Sequence, residues 1–353
     1  MKRLRTSRSV IILLVAYLLS CIALAAQQKS NDSTNLPAKP TVPDKLPPTI
    51  YGDENLHSLA VSDSNLHAAA PIAGEKAEFP EFTRELVRVQ WRPNDPIDLY
   101  IIRPHGVAKP PVAIYLYSYP SETDRFRDNE YCKRLVFNGY AAIGFVPALT
   151  GHRYHDRPMR EWFVSEMPTA ITESVHDVQM VLRYLSERGD LDLDHVGIFS
   201  TGSGATIALL ASTVEPRIRA IDALQPWGDW PTWLAKSSLI PESERPTYLK
   251  PTFLASVAPL DPVVLASHVQ AKSLRVQFVL DDTVTPAAAV QRMKAAMPPF
   301  AQVLEYDTKQ RQYEALGGGR AFDWIKQQLR APDSHAVNAQ INEANKTQNE
   351  RPH

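Results

Sequence analysis

The chain is nearly devoid of cysteine. Cys21 and Cys132 are the only two in 353 residues, so no framework of disulfides can staple it. Cys132 on its own is expected to be a small buried hydrophobe. A basic surplus is missing too. Setting aside the first 25 residues removes four of the 38 basic residues and none of the 39 acidic ones, which leaves a net charge of −5. Nucleic acid or an anionic membrane surface would call for a basic patch, and nothing points to either. No internal repeat is visible, and no Cys/His cluster has the spacing of a metal site. No metal or cofactor is expected.

The organisation begins with a leader. Lys2, Arg3, Arg5 and Arg8 precede the apolar run Val10 to Leu19, and Ala23-Leu24-Ala25 follows. This is the layout of a secretory signal peptide over residues 1–25. Leu18-Leu19-Ser20-Cys21 also resembles the acylation box of a bacterial lipoprotein, with Cys21 as the lipidated residue. The apolar stretch to Ala26 is close to the shortest membrane anchor. Cleavage, lipidation and anchoring stay open here; each predicts an exported protein, periplasmic or extracellular, the last two with a membrane tether. Residues 26–78 read as a Pro-rich disordered spacer, with five prolines between Asn35 and Pro48. Residues 331–353 read as a disordered polar tail. The folded domain is therefore expected over residues 79–330, enough for one good core.

Within it, Glu85 to Trp91 and Ile97 to Ile102 alternate apolar and polar around Arg92-Pro-Asn-Asp-Pro96, an antiparallel hairpin. Val112 to Tyr117 and Tyr140 to Val146 are continuous apolar runs, as strands buried on both faces should be. A helix is predicted between them over 125–138. Strands at 195–199, 218–224, 274–280 and 303–306 then alternate with helices at 172–188, 205–212, 286–297 and 320–329. The fold class is α/β, a mostly parallel sheet with helices on both faces and an N-terminal β-hairpin. Its active face is the carboxyl ends of the strands.

Val196-Gly-Ile-Phe-Ser-Thr-Gly-Ser-Gly-Ala205 resembles the nucleophile elbow of the α/β-hydrolases. Gly139-Tyr140 to Gly151-His152, before the elbow, and Asp282-Thr-Val-Thr-Pro286 and Gly317-Gly-Gly-Arg-Ala-Phe-Asp-Trp324, after it, are similar to further motifs of the dienelactone hydrolase and prolyl-oligopeptidase-like branch. The resemblance implies the α/β-hydrolase fold, an ester or peptide substrate, and a Ser-His-Asp triad. It also marks the departures. Gly202 stands at the nucleophile position, and Ser203 comes one residue late. The resemblance implies that the backbone N–H groups of Ser203 and Gly204, with that of Tyr119, would serve as oxyanion donors. Asp282 falls on the acid, or is simply a turn residue. The histidine falls on Gly318 or Gly319, and only His335 and His353 follow Asp282.

A serine is a poor nucleophile without a base. The leading expectation is thus a pseudo-hydrolase that binds a small ligand in the ancestral cleft. The elbow's helix N-terminus would hold an oxyanion above Gly202, walled by Trp227, Trp230 and Trp233. One rival is an active esterase or peptidase using Ser203, Asp282 and a base such as His152 or His155. The other is an envelope scaffold or interaction protein. If export holds, native protein should start near Ala26 or at an acylated Cys21, which mass spectrometry of its N-terminus reads; intact Met1 on a soluble cytoplasmic form would refute it.

Overall fold

The computed structural model describes residues 52–120, 123–149, 164–317 and 320–330. The leader, Cys21, the prolines of the spacer, His152, His155, Gly318, Gly319 and the tail from 331 lie outside the described residues. Nine strands form one sheet: β1 (Ile72–Glu78), β2 (Phe82–Val89), β3 (Ile97–Pro104), β4 (Pro111–Leu116), β5 (Ala141–Gly144), β6 (Asp192–Thr201), β7 (Ile218–Leu224), β8 (Ser273–Val279) and β9 (Gln302–Tyr306). Their order is β1-β2-β3-β5-β4-β6-β7-β8-β9. The first three strands and the β3–β5 pair are antiparallel, and every pairing from β5 to β9 is parallel. Val112 to Leu116 and Val196 to Ser200 are buried throughout, which is why these strands read as unbroken apolar runs.

The helices in chain order are α1 (Asn129–Val136), α2 (Met167–Arg188), α3 (Ser203–Ala211), α4 (Trp230–Lys236), α5 (Arg245–Tyr248), α6 (Pro251–Val257), α7 (Pro262–Leu265), α8 (Ala287–Ala296), α9 (Lys309–Leu316) and α10 (Asp323–Arg330). They cover both faces. Val175, Val178, Val181, Leu182 and Leu185 of α2 pack with α3 on one side. Leu135 of α1 and Ile325 and Leu329 of α10 pack on the other. Helix α2 begins five residues earlier than the periodicity suggests and ends at Gly189, where φ is +70°. The helix predicted over 125–138 is shorter: a 3-10 turn at Asp124–Arg127 precedes α1, whose N-terminus Asp128 caps through Tyr131 N–H. The short helices α4 to α7 fill the long connection from β7 to β8, and α9 was not foreseen.

The larger correction concerns residues 52–78, expected to be spacer. They fold onto the domain. Strand β1 extends the hairpin, and residues 54–66 lie along α2 as a strap. The strap is held by polar groups. Arg92 bonds Glu54 at 2.6 Å and Asp177 at 2.6 Å, and Trp91 Nε1 donates to the same Asp177 oxygen. His176, fully buried, meets Glu54 Oε1 through Nδ1 at 2.6 Å and the Ser58 carbonyl through Nε2 at 2.9 Å. Gln179 accepts from Val61 N–H and donates to the Leu59 carbonyl. A segment fixed this way has no hydrophobic period, so composition alone misreads it as disordered.

Burial pushes the Glu54 carboxyl upward, but the hydrogen bonds and charges of Arg92 and His176 outweigh it and lower it from 4.5 to about 2. A depressed carboxylate contributes stability above its unfolded pKa and loses it as pH falls through the folded value. Glu54→Gln should therefore destabilise the protein by about 2–3 kcal/mol at neutral pH. The gap to the parent should close as pH drops from about 5 towards 2, read by denaturant melts across that range.

Candidate functional site at the elbow

The parallel registers gather four strand ends. Leu116 pairs beside Ser200, Thr201 beside Leu224, and Leu224 beside Gln277. The chain leaves β6 through Gly202, with φ +52° and ψ −122°, and enters α3 at Ser203. Side chains rarely tolerate that conformation. Gly202 N–H donates to the Leu224 carbonyl at 2.8 Å, which fixes the turn to β7. Gly204 lets the helix approach β4: a Cβ there would lie 2.6 Å from the Leu116 carbonyl oxygen. The strained strand-turn-helix backbone of a nucleophile elbow is present.

Its side chains are arranged otherwise. A Cβ on residue 202 would lie 2.1 Å from Ser118 Oγ and 2.6 Å from Ser118 Cβ, with Trp227 Nε1 at 3.3 Å. The room a nucleophile would use is filled from β4 by Ser118. This overturns the expectation of an open anion site above Gly202. Ser118 is itself held by its N–H, which donates to Thr201 Oγ1 at 3.0 Å. The expected nucleophile Ser203 is fully buried, and its Oγ accepts from Tyr119 N–H at 2.7 Å. The same Tyr119 N–H was expected to serve the oxyanion hole; here a hydroxyl of the chain's own takes it.

Asp282 lies at the end of β8, where its place in the sequence predicts. Its carboxylate accepts from Thr285 N–H at 3.1 Å and Val284 N–H at 3.4 Å, the pattern of a turn-closing Asp. Its outer oxygen meets Lys309 Nζ at 2.9 Å, from the first residue of α9. Among the described residues no histidine is bonded to Asp282. His176, His105 and His195 are engaged instead with Glu54, Glu78 and Asp192.

Of the two readings open to the tryptophans, packing under a cap and walling a pocket, the structure favours the first. Trp227, Trp230 and Trp233 are all buried. Trp227 stacks on Trp233 at 4.9 Å, and Trp230 meets Trp233 edge-on at 5.9 Å. Asp261 ties the segment down by accepting from Asp229, Trp230 and Val263 N–H groups. They pack as core beneath the short helices, because three indoles are costly to leave in water. Sequence reasoning passed over Ser118 and Lys309. Ser118 had a signal: a glycine at the nucleophile position leaves room that a neighbouring strand end must fill. No group of three or more His, Cys, Asp or Glu among the described residues is placed to hold a metal.

No family model and no curated protein matches the sequence. Solved structures do. The chain is similar to acetyl xylan esterase 1 from Thermoanaerobacterium sp. JW/SL YS485, with a TM-score of 0.59 and 16% identity over 74% of this chain and 88% of that one. An acetyl xylan esterase from Paenibacillus sp. R4 gives 0.60 and 14% over 77% and 91%. The acylaminoacyl peptidase of Pyrococcus horikoshii gives 0.53 and 16% over 71% of this chain and 40% of the peptidase. The chain has the α/β-hydrolase fold. At its elbow, residues 118 and 202 share one volume.

That sharing is open to a double-mutant cycle. Gly202→Ser alone should cost about 3 kcal/mol, from backbone strain and the clash with Ser118. Adding Ser118→Gly should restore at least about 1 kcal/mol of it in chemical denaturation, because the two positions share one volume. Strictly additive effects would show that the side chains do not compete.

Proposed function

We propose that this protein is an exported, non-hydrolytic member of the α/β-hydrolase fold that binds a small ligand at the carboxyl ends of its strands. The observation that carries the reading is the Ser203 Oγ bond to Tyr119 N–H, made while Ser118 fills the nucleophile's room. A buried serine whose oxygen is already engaged, with no described base beside it, has no proton acceptor for attack on a carbonyl. The pairing of Asp282 with Lys309 supports the same reading, since the acid's usual task is to orient a histidine. Export rests on the basic and apolar leader.

A second reading has one observation in its favour. Ser118 Oγ lies about where a nucleophile at 202 would project its own side chain, and esterases and peptidases are among the structures of similar fold. On that reading Ser118, and not Ser203, is acylated. A serine-reactive fluorophosphonate followed by peptide mapping separates the two. The non-hydrolytic reading expects no adduct, and p-nitrophenyl acetate turnover equal in the parent and in Ser203→Ala. An adduct on Ser118, abolished in Ser118→Ala, would establish the second reading. An adduct on Ser203 would overturn both.

A further inference from the structure

Four non-glycine residues among those described have a left-handed backbone: Asn94, Asn138, Gln225 and Asp229. Asparagine and aspartate visit that region readily, and Asp229 does so where it opens α4 and pairs with Arg292. Gln225, with φ +51°, is the exception. A glutamine bears the cost of that conformation, and a residue before a proline, here Pro226, is ordinarily extended. The surroundings hold the strain in place. Gln225 N–H donates to the Gln277 carbonyl at 2.7 Å, and the preceding carbonyl, of Leu224, takes the Gly202 N–H that fixes the elbow. Two residues on, Trp227 N–H donates to Thr206 Oγ1 at 2.8 Å, and the same hydroxyl donates to the Trp227 carbonyl at 2.7 Å.

The same residue carries an unmet donor. Gln225 Nε2 is buried and has no hydrogen-bond partner, although the residue as a whole is only half-buried. A group left in that state costs free energy and calls for an explanation. Tyr115 and Gln312 also hold an unpartnered buried atom, but neither joins it to a left-handed backbone. Gln225 combines the two at the carboxyl end of β7, level with the elbow: Thr201 pairs with Leu224, so Gly202 and Gln225 follow side by side. Strain and an unsatisfied donor at the carboxyl end of a strand are what a fold retains when a ligand completes the bond. The surroundings also select the ligand's charge. Among the described residues, the groups that meet at the turn, Ser118, Thr201, Ser203 and Gln225, are all uncharged, and Asp282 is already paired with Lys309. A buried anion would lack a counter-charge, whereas a carbonyl oxygen needs only an N–H.

We propose that Gln225 is a ligand-contact residue, its Nε2–H donating to the carbonyl oxygen of an uncharged ester or amide bound at the ends of β6 and β7. The proposal deepens the ligand-binding reading above and rests on it, and it holds whether or not any hydrolysis occurs. The fixed left-handed backbone sets the side chain beside the elbow before the ligand arrives, so little freedom is left to lose on binding. Gln225 is neither nucleophile nor base; it discriminates. A ligand without the carbonyl leaves Nε2 unmet and gains nothing from this residue. Until a ligand binds, the strain and the unmet donor count against stability, the usual exchange at a functional position.

The test uses the full mature chain and two probes that differ in one group, acetanilide with its carbonyl and N-ethylaniline with a methylene in its place, followed by isothermal titration. Acetanilide should bind the parent more tightly than N-ethylaniline. Gln225→Leu, which keeps the bulk and loses the amide, should weaken acetanilide about fivefold or more and leave N-ethylaniline within about twofold. Gln225→Gly, which relieves the backbone, should lose the same preference for the carbonyl, while its unliganded melting temperature rises by about 2–4 °C. If Gln225→Leu binds both probes as the parent does, the donor serves no ligand, and this proposal falls while the ligand-binding reading stands. Equal weakening of both probes has the same consequence, since shape and not a bond was lost. A fall in the melting temperature of Gln225→Gly would make Gln225 a packing residue and also overturn the proposal. If the parent binds neither probe nor any member of a panel of neutral esters and amides, both fall.

Discussion

The space above the turn at Gly202 admits one side chain, and in this protein that side chain comes from β4. A β-carbon on residue 202 would sit 2.1 Å from Ser118 Oγ, well inside any tolerable contact. The surrounding polar bonds follow from that exclusion. With Ser118 turned over Gly202, its N–H is fixed on Thr201 and the next N–H, of Tyr119, faces Ser203 Oγ. Each bond satisfies a buried polar group that would otherwise cost a desolvation penalty of about 1–3 kcal/mol. The network is closed within the chain, so a substrate oxygen entering here would have to displace a bond already made.

The same economy of polar groups holds the N-terminal strap. Arg92 and His176 lie under it, and Glu54 and Asp177 answer them. Both ring nitrogens of His176 are within hydrogen-bond distance of oxygens of the strap. Asp177 also accepts from Ala148 N–H, and Ser174 from Leu149 N–H. The strap, α2 and the residues after β5 are therefore joined at one buried junction.

How far the sequence was legible follows from which forces leave a pattern in it. The apolar runs of β4 to β8 and the stripe on α2 record burial, and their places were foreseen to within a few residues. The turn residues Gly202 and Asp282 were legible because positive φ and turn closure restrict residue choice. Strand β1 and the strap were not legible, because single bonds from Glu54, Gln179 and His176 fix them, and such bonds have no period. The part played by Ser118 was hidden for another reason. It is a contact between chain segments 83 residues apart, and only the register of β4 on β6 brings the two together. The three tryptophans were legible as costly to expose, yet their spacing could not say whether they wall a pocket or fill a core.

Keeping an elbow backbone does not require keeping its chemistry. The positive φ of Gly202 is sustained by the bond from its N–H to Leu224 and by the approach of α3 to Leu116 at Gly204. Both contacts seat a fully buried helix against the centre of the sheet. Flattening the turn would tilt α3 and open the core between β4, β6 and β7, where interiors tolerate few voids. The strain is thus held by packing, which persists whatever side chain occupies position 202. A glycine relieves it better than any nucleophile could, since a residue with a Cβ must bear the cost of that conformation. On packing grounds alone, stability favours glycine at 202. The room above it is taken by Ser118, just beyond the end of β4. A backbone like that of esterases and peptidases is therefore compatible with glycine at this turn, as an outcome of one packing constraint.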